Sequence, residues 1–169
     1  MTINTIPETH ELVICANMYV VRENKILMMR RSNDKILLPG YLQPIGGKVE
    51  LNEDPLTAVK REIMEEANIQ VTDLKLKGIV TEIKSKKDSQ YKSNWQIFHF
   101  VAHYEDDAVG TTDEGELVWL TLDEIKQERI AESIRLIIDK LLDGSSQIIF
   151  AKYTYGEKNT LLKKNIQVI

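Results

Sequence analysis

An α+β architecture is the fold class this sequence predicts, and three observations carry that reading. Several short runs are rich in strand-forming residues and are bounded by polar breaks, the mark of strands. One segment, from Asp54 to Asn68, instead sets its apolar residues on a helical stripe. No internal repeat or low-complexity linker interrupts the 169 residues, a length that fits a single domain over 1–169 with a substantial core.

Taken in order, residues 1–10 are polar and read as a loose lead-in. Residues 11–21 are rich in strand formers; Arg22-Glu23-Asn24 breaks the run and 25–29 resumes it, which predicts a hairpin. Arg30 and Arg31 close the second strand, either as a solvated strand end or as a reach toward phosphate. A loop from Ser32 through Pro39-Gly40 leads into 41–45, which runs straight into Gly46-Gly47 and so borders the same space. There the Gln43 amide either hydrogen-bonds two positions of a purine edge or meets only water.

Further on, 74–83 and 94–104 predict strands around the polar 84–93. Its Lys84, Lys86, Lys87 and Lys92 form either a solvated charge run or a lure for polyphosphate. His99 and His103 have no histidine or cysteine nearby to complete a metal set, and are read as packing or surface residues. An acidic loop over 105–115 precedes a strand at 116–121, with Asp113 and Glu114 just before it. Residues 123–142 predict one helix with Ile130, Ile134, Ile137 and Leu141 on a stripe. Runs at 147–155 and 160–169 around Gly156-Glu157-Lys158-Asn159 predict a closing hairpin.

Composition narrows the function. Charged residues at 28% and hydrophobic ones at 43% are ordinary for a globular chain. A net charge of −4 argues against gripping a nucleic-acid backbone, which takes a basic stripe. Cys15 is the only cysteine, so there is no internal disulfide and no multi-thiolate zinc site, and its apolar surroundings predict a buried thiol. No apolar run approaches the roughly twenty residues that span a membrane, and the N-terminus lacks a signal-peptide core, so a cytoplasmic location is expected.

The chemistry concentrates on the helix. Glu62, Glu65 and Glu66 stand at i, i+3 and i+4, which gathers three carboxylates on one side. Each like-charge pair at that spacing costs roughly 0.2–0.5 kcal/mol in an isolated helix, and the C-terminal half of the macrodipole adds to the cost. A divalent cation offsets it, since Mg²⁺ is held by a few carboxylates together with phosphate oxygens. Asp54 and Pro55 suit N-cap and first helical position. Leu56, Val59 and Ile63 form the packing stripe, while Ala58, one turn before Glu62, keeps the acidic ridge low for a ligand. Gly46-Gly47 lets the backbone approach closely. An acidic helix face alone is usually only solvated; here Gly47, Glu53 and Arg61 stand in register with it.

The order Gly47, Glu53, Arg61-Glu62-Ile63, Glu65-Glu66, Asn68-Ile69 over residues 47–69 resembles the Nudix box of the MutT-type pyrophosphohydrolases. It departs at Asn68, where the box has Gly; the position closes the helix in a left-handed conformation that Asn tolerates best after Gly. The resemblance implies a Nudix α/β/α sandwich with a mixed central sheet and additional hairpins. It implies Mg²⁺, with Mn²⁺ able to replace it, held by Glu62, Glu65, Glu66 and the Gly46 carbonyl. Glu53 and Arg61 would hold loop and helix together. Three Glu rarely fill the shells of two or more ions, so Asp113 and Glu114 are candidates for one more carboxylate. Glu65, Glu62 and Glu114 are the candidates for general base.

The segments 41–43, 116–125 and 150–162 are similar to the subgroup that cleaves oxidised purine nucleoside triphosphates such as 8-oxo-dGTP. In that subgroup an amide before the glycines and acidic residues after the Trp-containing strand read the base; Gln43 and Glu132 fall at or near those places, and Ala131 stands where animal members have a stacking aromatic. The expected substrate-binding set is therefore Gln43, Arg30, Lys48 and Glu132, for a small nucleotide and with no nucleic acid or membrane partner. Nucleoside diphosphate sugars, dinucleoside polyphosphates and capped RNA ends are the alternatives within the family. A non-catalytic nucleotide sensor is the alternative outside enzymes, and the intact Glu62, Glu65 and Glu66 count against it.

Overall fold

Strand β1 (Leu12–Arg22) lies centrally because it pairs along both margins. One margin runs parallel to β6 (Asn94–His103), from Leu12 opposite Asn94 to Val21 opposite His103. The other takes β4 (Ile45–Lys48) opposite Cys15 to Met18, then β2 (Lys25–Arg31) opposite Val20 to Arg22. The expected first hairpin is thus present, its turn holding Glu23 at φ 53°. The computed structural model describes residues 11–36, 38–84, 94–105, 111–112 and 114–169.

Among these residues ten strands form one mixed sheet. Its order is β10 (Leu161–Val168), β9 (Ile149–Tyr155), β5 (Thr72–Lys84), β6, β1, β2, β8 (Gly115–Thr121), β7 (Thr111–Thr112), with β3 (Leu42–Gln43) on β2 and β4 on β1. The β1–β6 and β5–β9 ladders are parallel, and the β9–β10 pair is the expected closing hairpin.

Strand alternation divides the core in two. Ala16, Met18, Val20, Leu27 and Met29 face one side, where α1 (Pro55–Ala67) buries Ala58, Val59, Ile63 and Ala67. Burying Val59 and Ile63 stabilises by about 1.5–3 kcal/mol each. Tyr19, Ile26, Met28 and Leu42 face the other side, covered by α2 (Leu122–Gln127), α3 (Glu132–Arg135) and α4 (Ile138–Leu141). Helices on both faces of a mixed sheet make the α/β/α sandwich.

Two expectations fail. Residues 123–142 are three short helices, although Ile130, Ile134, Ile137 and Leu141 are all buried as the stripe required. The break comes from tertiary bonds: the Leu42 N–H donates to Arg129 O at 2.8 Å, Ile130 bridges Leu42, and Arg30 holds Glu128 with both nitrogens. Residues 128–131 are thereby drawn out as an extended stub beside β3. On α1, Leu56 is 42% exposed and Ala58 is fully buried, the reverse of their expected placing. Ala58 packs into the core cluster with Ala16, Met18 and Ile45 of the sheet.

Cys15 and His99 are buried and His103 is exposed, as expected. Asp113, Lys86, Lys87, Lys92 and residues 1–10 lie outside the described residues. No helix among the described residues is long and apolar enough to cross a membrane.

Candidate active site

The site starts with the way α1 begins and ends. Asp54 accepts from the N–H groups of Leu56 and Thr57 at 2.8 and 3.0 Å, capping the helix ahead of Pro55. At the other end Asn68 takes φ 53°, ψ 38°, and donates to Met64 O, the left-handed closure anticipated for it. These ends fix the phase of the helix, and with it the direction of Glu62 and Glu66.

Arg61 ties this helix to the loop before it. Its Nε and Nη2 donate to the two Glu53 oxygens at 2.9 and 3.1 Å, and Nη2 also donates to Lys48 O at 3.2 Å. Nη1 donates to Glu62 Oε1 at 2.9 Å and to Glu65 Oε2 at 3.0 Å. Glu53 also accepts from the Glu50 N–H at 3.0 Å, and Arg61 first, then that amide, holds its carboxyl below the usual range. One guanidinium thus braces a loop and two acidic side chains, a fork a lysine cannot reproduce.

The glycines form the opposing wall. β4 pairs with β1 so closely that a Cβ on Gly46, at φ 145°, would collide with Ala16 O, and one on Gly47 would run into the Glu62 carboxylate. The Gly46 N–H donates to Glu66 Oε2 at 3.2 Å. Burial pushes the Glu66 carboxyl up to about 7, with Glu62 and Glu114 adding to the effect. Burial likewise raises Glu62, whose side chain is 14% exposed, against the pull of Arg61. Glu65 differs, with 58% of its side chain exposed.

These groups line one cleft of about 1060 Å³, together with Lys48, Glu114, Gln43 and Arg31. Arg31 Nη1 donates to Gln43 Oε1 at 3.3 Å. Glu114 accepts from Lys35 Nζ at 2.8 Å. The cleft therefore contains most of the set named from sequence. Arg61 and Glu53 stand just behind its wall, and Arg30 and Glu132 do not line it either. Arg30 shares the parity of Ile26 and Met28 and points to the other face, where it forms a two-pronged pair with Glu128 at 2.9 and 2.8 Å. Glu132 opens α3 on that same far side, exposed, its charge felt by Tyr153 and Tyr155. Arg31, one residue on, has the parity of Leu27 and Met29 and reaches the cleft; counting parity from those residues would have selected it. Thr112 on the cleft wall and Lys35 on Glu114 were missed, and nothing in their local sequence marks them.

The donor set fits a hard divalent ion. Three carboxylates and a glycine backbone meet in a partly desolvated cleft, and two of those carboxyls are raised by burial that a bound cation would offset. Among the described residues no three acidic or imidazole groups already converge as a cage. Arg61 Nη1 gathers Glu62 and Glu65 while the Gly46 N–H holds Glu66, so an ion bound by all three would have to displace these bonds.

An acidic ridge, a glycine wall and two nearby cations define a site for phosphate chemistry assisted by a divalent ion. Comparison with known proteins agrees. A model of the NUDIX domain matches residues 12–141. An uncharacterised Nudix hydrolase, YvcI of Bacillus subtilis (strain 168), is 31% identical over 138 residues, 78% of this chain and 86% of that one. The crystal structure of a MutT protein from Bacillus halodurans superposes with a TM-score of 0.78 at 27% identity, covering 92% of this chain and 97% of that one. A MutT NUDIX hydrolase from Burkholderia pseudomallei shares the fold, with a TM-score of 0.63 at 24% identity over 78% of this chain and 98% of that one. The chain belongs to the Nudix hydrolase family. It is a pyrophosphohydrolase by class, of a family that acts on small nucleotides and generally uses divalent ions.

Proposed function

We propose that the protein hydrolyses a nucleoside triphosphate to the monophosphate and pyrophosphate, with Mg²⁺ as the ion and Mn²⁺ able to replace it. The observation that carries this reading is the single cleft in which Glu62, Glu65 and Glu66 stand with the cations Arg31 and Lys48. Carboxylates alone suit an ion; carboxylates with two cations suit an ion and a polyanion. Glu62, Glu65, Glu66, Glu114 and the Gly46 carbonyl would hold the metal. When bound, it neutralises phosphoryl charge and makes water acidic enough to attack near neutral pH.

The rest falls to the chain. Arg31 and Lys48 orient the polyphosphate, and Arg61 with Glu53 keeps the helix in place against the loop. Water adds to the α- or β-phosphorus, the P–O bond that bridges those two breaks, the pyrophosphate or nucleoside monophosphate that departs keeps the electron pair, and a proton passes to a cleft carboxylate. Glu65, the most exposed of the three, is the acceptor we favour. Gln43 lies in the same cleft, and its amide suits a purine edge, which makes an oxidised purine such as 8-oxo-dGTP the first base to try. Such a substrate places the work of the enzyme in the cytoplasm.

The test is a Mg²⁺-dependent screen of canonical and oxidised nucleotides, nucleoside diphosphate sugars and dinucleoside polyphosphates, scoring pyrophosphate against orthophosphate. Pyrophosphate released fastest from a triphosphate supports the reading. A diphosphate sugar turned over faster than every triphosphate would overturn it.

A further inference from the structure

Lys35 reaches this site from outside the signature. It lies on the loop between β2 and β3, and its ammonium meets Glu114 Oε1 at 2.8 Å. The loop is pinned close by: the Ser32 N–H donates to Glu114 O at 3.1 Å, the Gly40 N–H to Arg31 O at 3.2 Å, and the Arg31 N–H to Tyr41 O at 2.9 Å. Glu114 in turn lines the cleft and its charge is felt by Glu66. An ammonium is therefore held at the rim, one side chain out from the acidic floor. The pair is partly exposed, with 27% of the Lys35 side chain and 44% of that of Glu114 in solvent, and ion pairs of that kind contribute little to stability. Such a pair exchanges partners easily.

We propose that Lys35 binds the terminal phosphate of the substrate, leaving Glu114 for the phosphate oxygens as Glu114 turns to the divalent ion. The proposal deepens the triphosphate reading and rests on it. An ammonium and a divalent ion on one carboxylate would repel each other, so Lys35 would leave Glu114 if Glu114 held the ion. The polyphosphate brings in a replacement anion. Its terminal group carries the most charge and offers several oxygens to a flexible, rotatable ammonium. In a nucleoside diphosphate sugar the corresponding end is a neutral sugar, so a cation at this rim selects triphosphates.

Lys35→Gln removes the charge and keeps most of the length, and Lys35→Arg restores charge. In Lys35→Gln the KM for a nucleoside triphosphate and the inhibition constant of pyrophosphate each rise about tenfold, the effect falls far more on KM than on kcat, and Lys35→Arg recovers most of it. The KM for a nucleoside diphosphate sugar moves less than about twofold by the same reasoning. Calorimetry of pyrophosphate with Mg²⁺ on the four proteins of a Lys35→Gln, Glu114→Gln cycle separates phosphate binding from a pair that serves only Glu114. A Lys35→Gln loss that persists beside Glu114→Gln supports the proposal; a loss that vanishes there, or pyrophosphate affinity equal to the parent, overturns it. That calorimetry needs no turnover, so it still decides the role of Lys35 if the parent releases pyrophosphate from no triphosphate, a result that would sink the function proposed above instead.

Discussion

The face of the sheet beneath α1 and the face beneath α2, α3 and α4 bury comparable apolar sets but treat polar groups in opposite ways. Beneath α1, Glu62 and Glu66 keep their carboxyls in partial burial, and the Glu66 carboxyl is pushed up to about 7. On the far face His99 is wholly buried, held against the Tyr19 hydroxyl at 3.2 Å, and burial pushes its pKa down to about 3. Arg30, facing that side too, is matched to Glu128. One face settles its charge internally. The other carries charge that a ligand has to settle, which is why the chemistry belongs there.

The largest expected effect comes from removing that charge. Glu62→Gln or Glu66→Gln should lower pyrophosphate release on the order of 10²- to 10³-fold, the scale of losing one preorganised electrostatic group. Glu132→Gln should leave it within about threefold, since surface changes away from a site usually cost little; circular dichroism should show all three folded. Next comes Arg61→Lys, which keeps the charge and loses the fork. It should weaken Mg²⁺ binding about 10- to 100-fold by calorimetry, as loss of a supporting residue around a metal site does. A smaller effect should separate adjacent arginines: Arg31→Met raises the KM for a triphosphate about tenfold. Arg30→Met leaves that KM alone and costs about 1 kcal/mol in urea unfolding, because its partly exposed pair is discounted by solvent.

The smallest effect, per pH unit, is in stability. Glu66 has a folded value above its ordinary 4.5, so between about pH 4.5 and 7 the folded state holds the extra proton. Its contribution is complete below 4.5 and is lost as pH rises through 7. His99 has a folded value below its ordinary 6.5, so the unfolded state holds the extra proton between about pH 3 and 6.5. Its contribution is present above 6.5 and lost as pH falls through 3. Without metal, the stability of the parent relative to Glu66→Gln should therefore fall from pH 4.5 to 7, and relative to His99→Gln it should rise from pH 4 to 6.5. Neither slope can exceed about 1.4 kcal/mol per pH unit for one proton. Slopes of the same sign would remove the contrast between the faces.

Local signals carried much of this. The caps of α1, the left-handed Asn68, the hairpins and the buried stripe of 130–141 all follow from residue type and period. The misplacements share one cause, which is competition from distant partners. Residues 123–142 have a helical period throughout, yet Leu42 and Arg30, remote in sequence, claim the backbone and the Glu128 side chain midway. Arg30 and Arg31 are alike as residues, and only the parity of β2 distinguishes them. Ala58 is buried in the core shared by α1 and the sheet, a matter of tertiary packing that no helical wheel contains. Lys35 meets Glu114 across 79 positions, beyond any local pattern.

The double pairing of β1 has a consequence for durability. Gly46 and Gly47 are laddered directly onto Asn17 and Ala16, in the strand bonded along both its margins. The reactive floor is therefore part of the last segment to open rather than a fringe that frays early, and amide hydrogens there should exchange with solvent only when the whole molecule unfolds. On warming, loss of turnover and loss of structure then become one event.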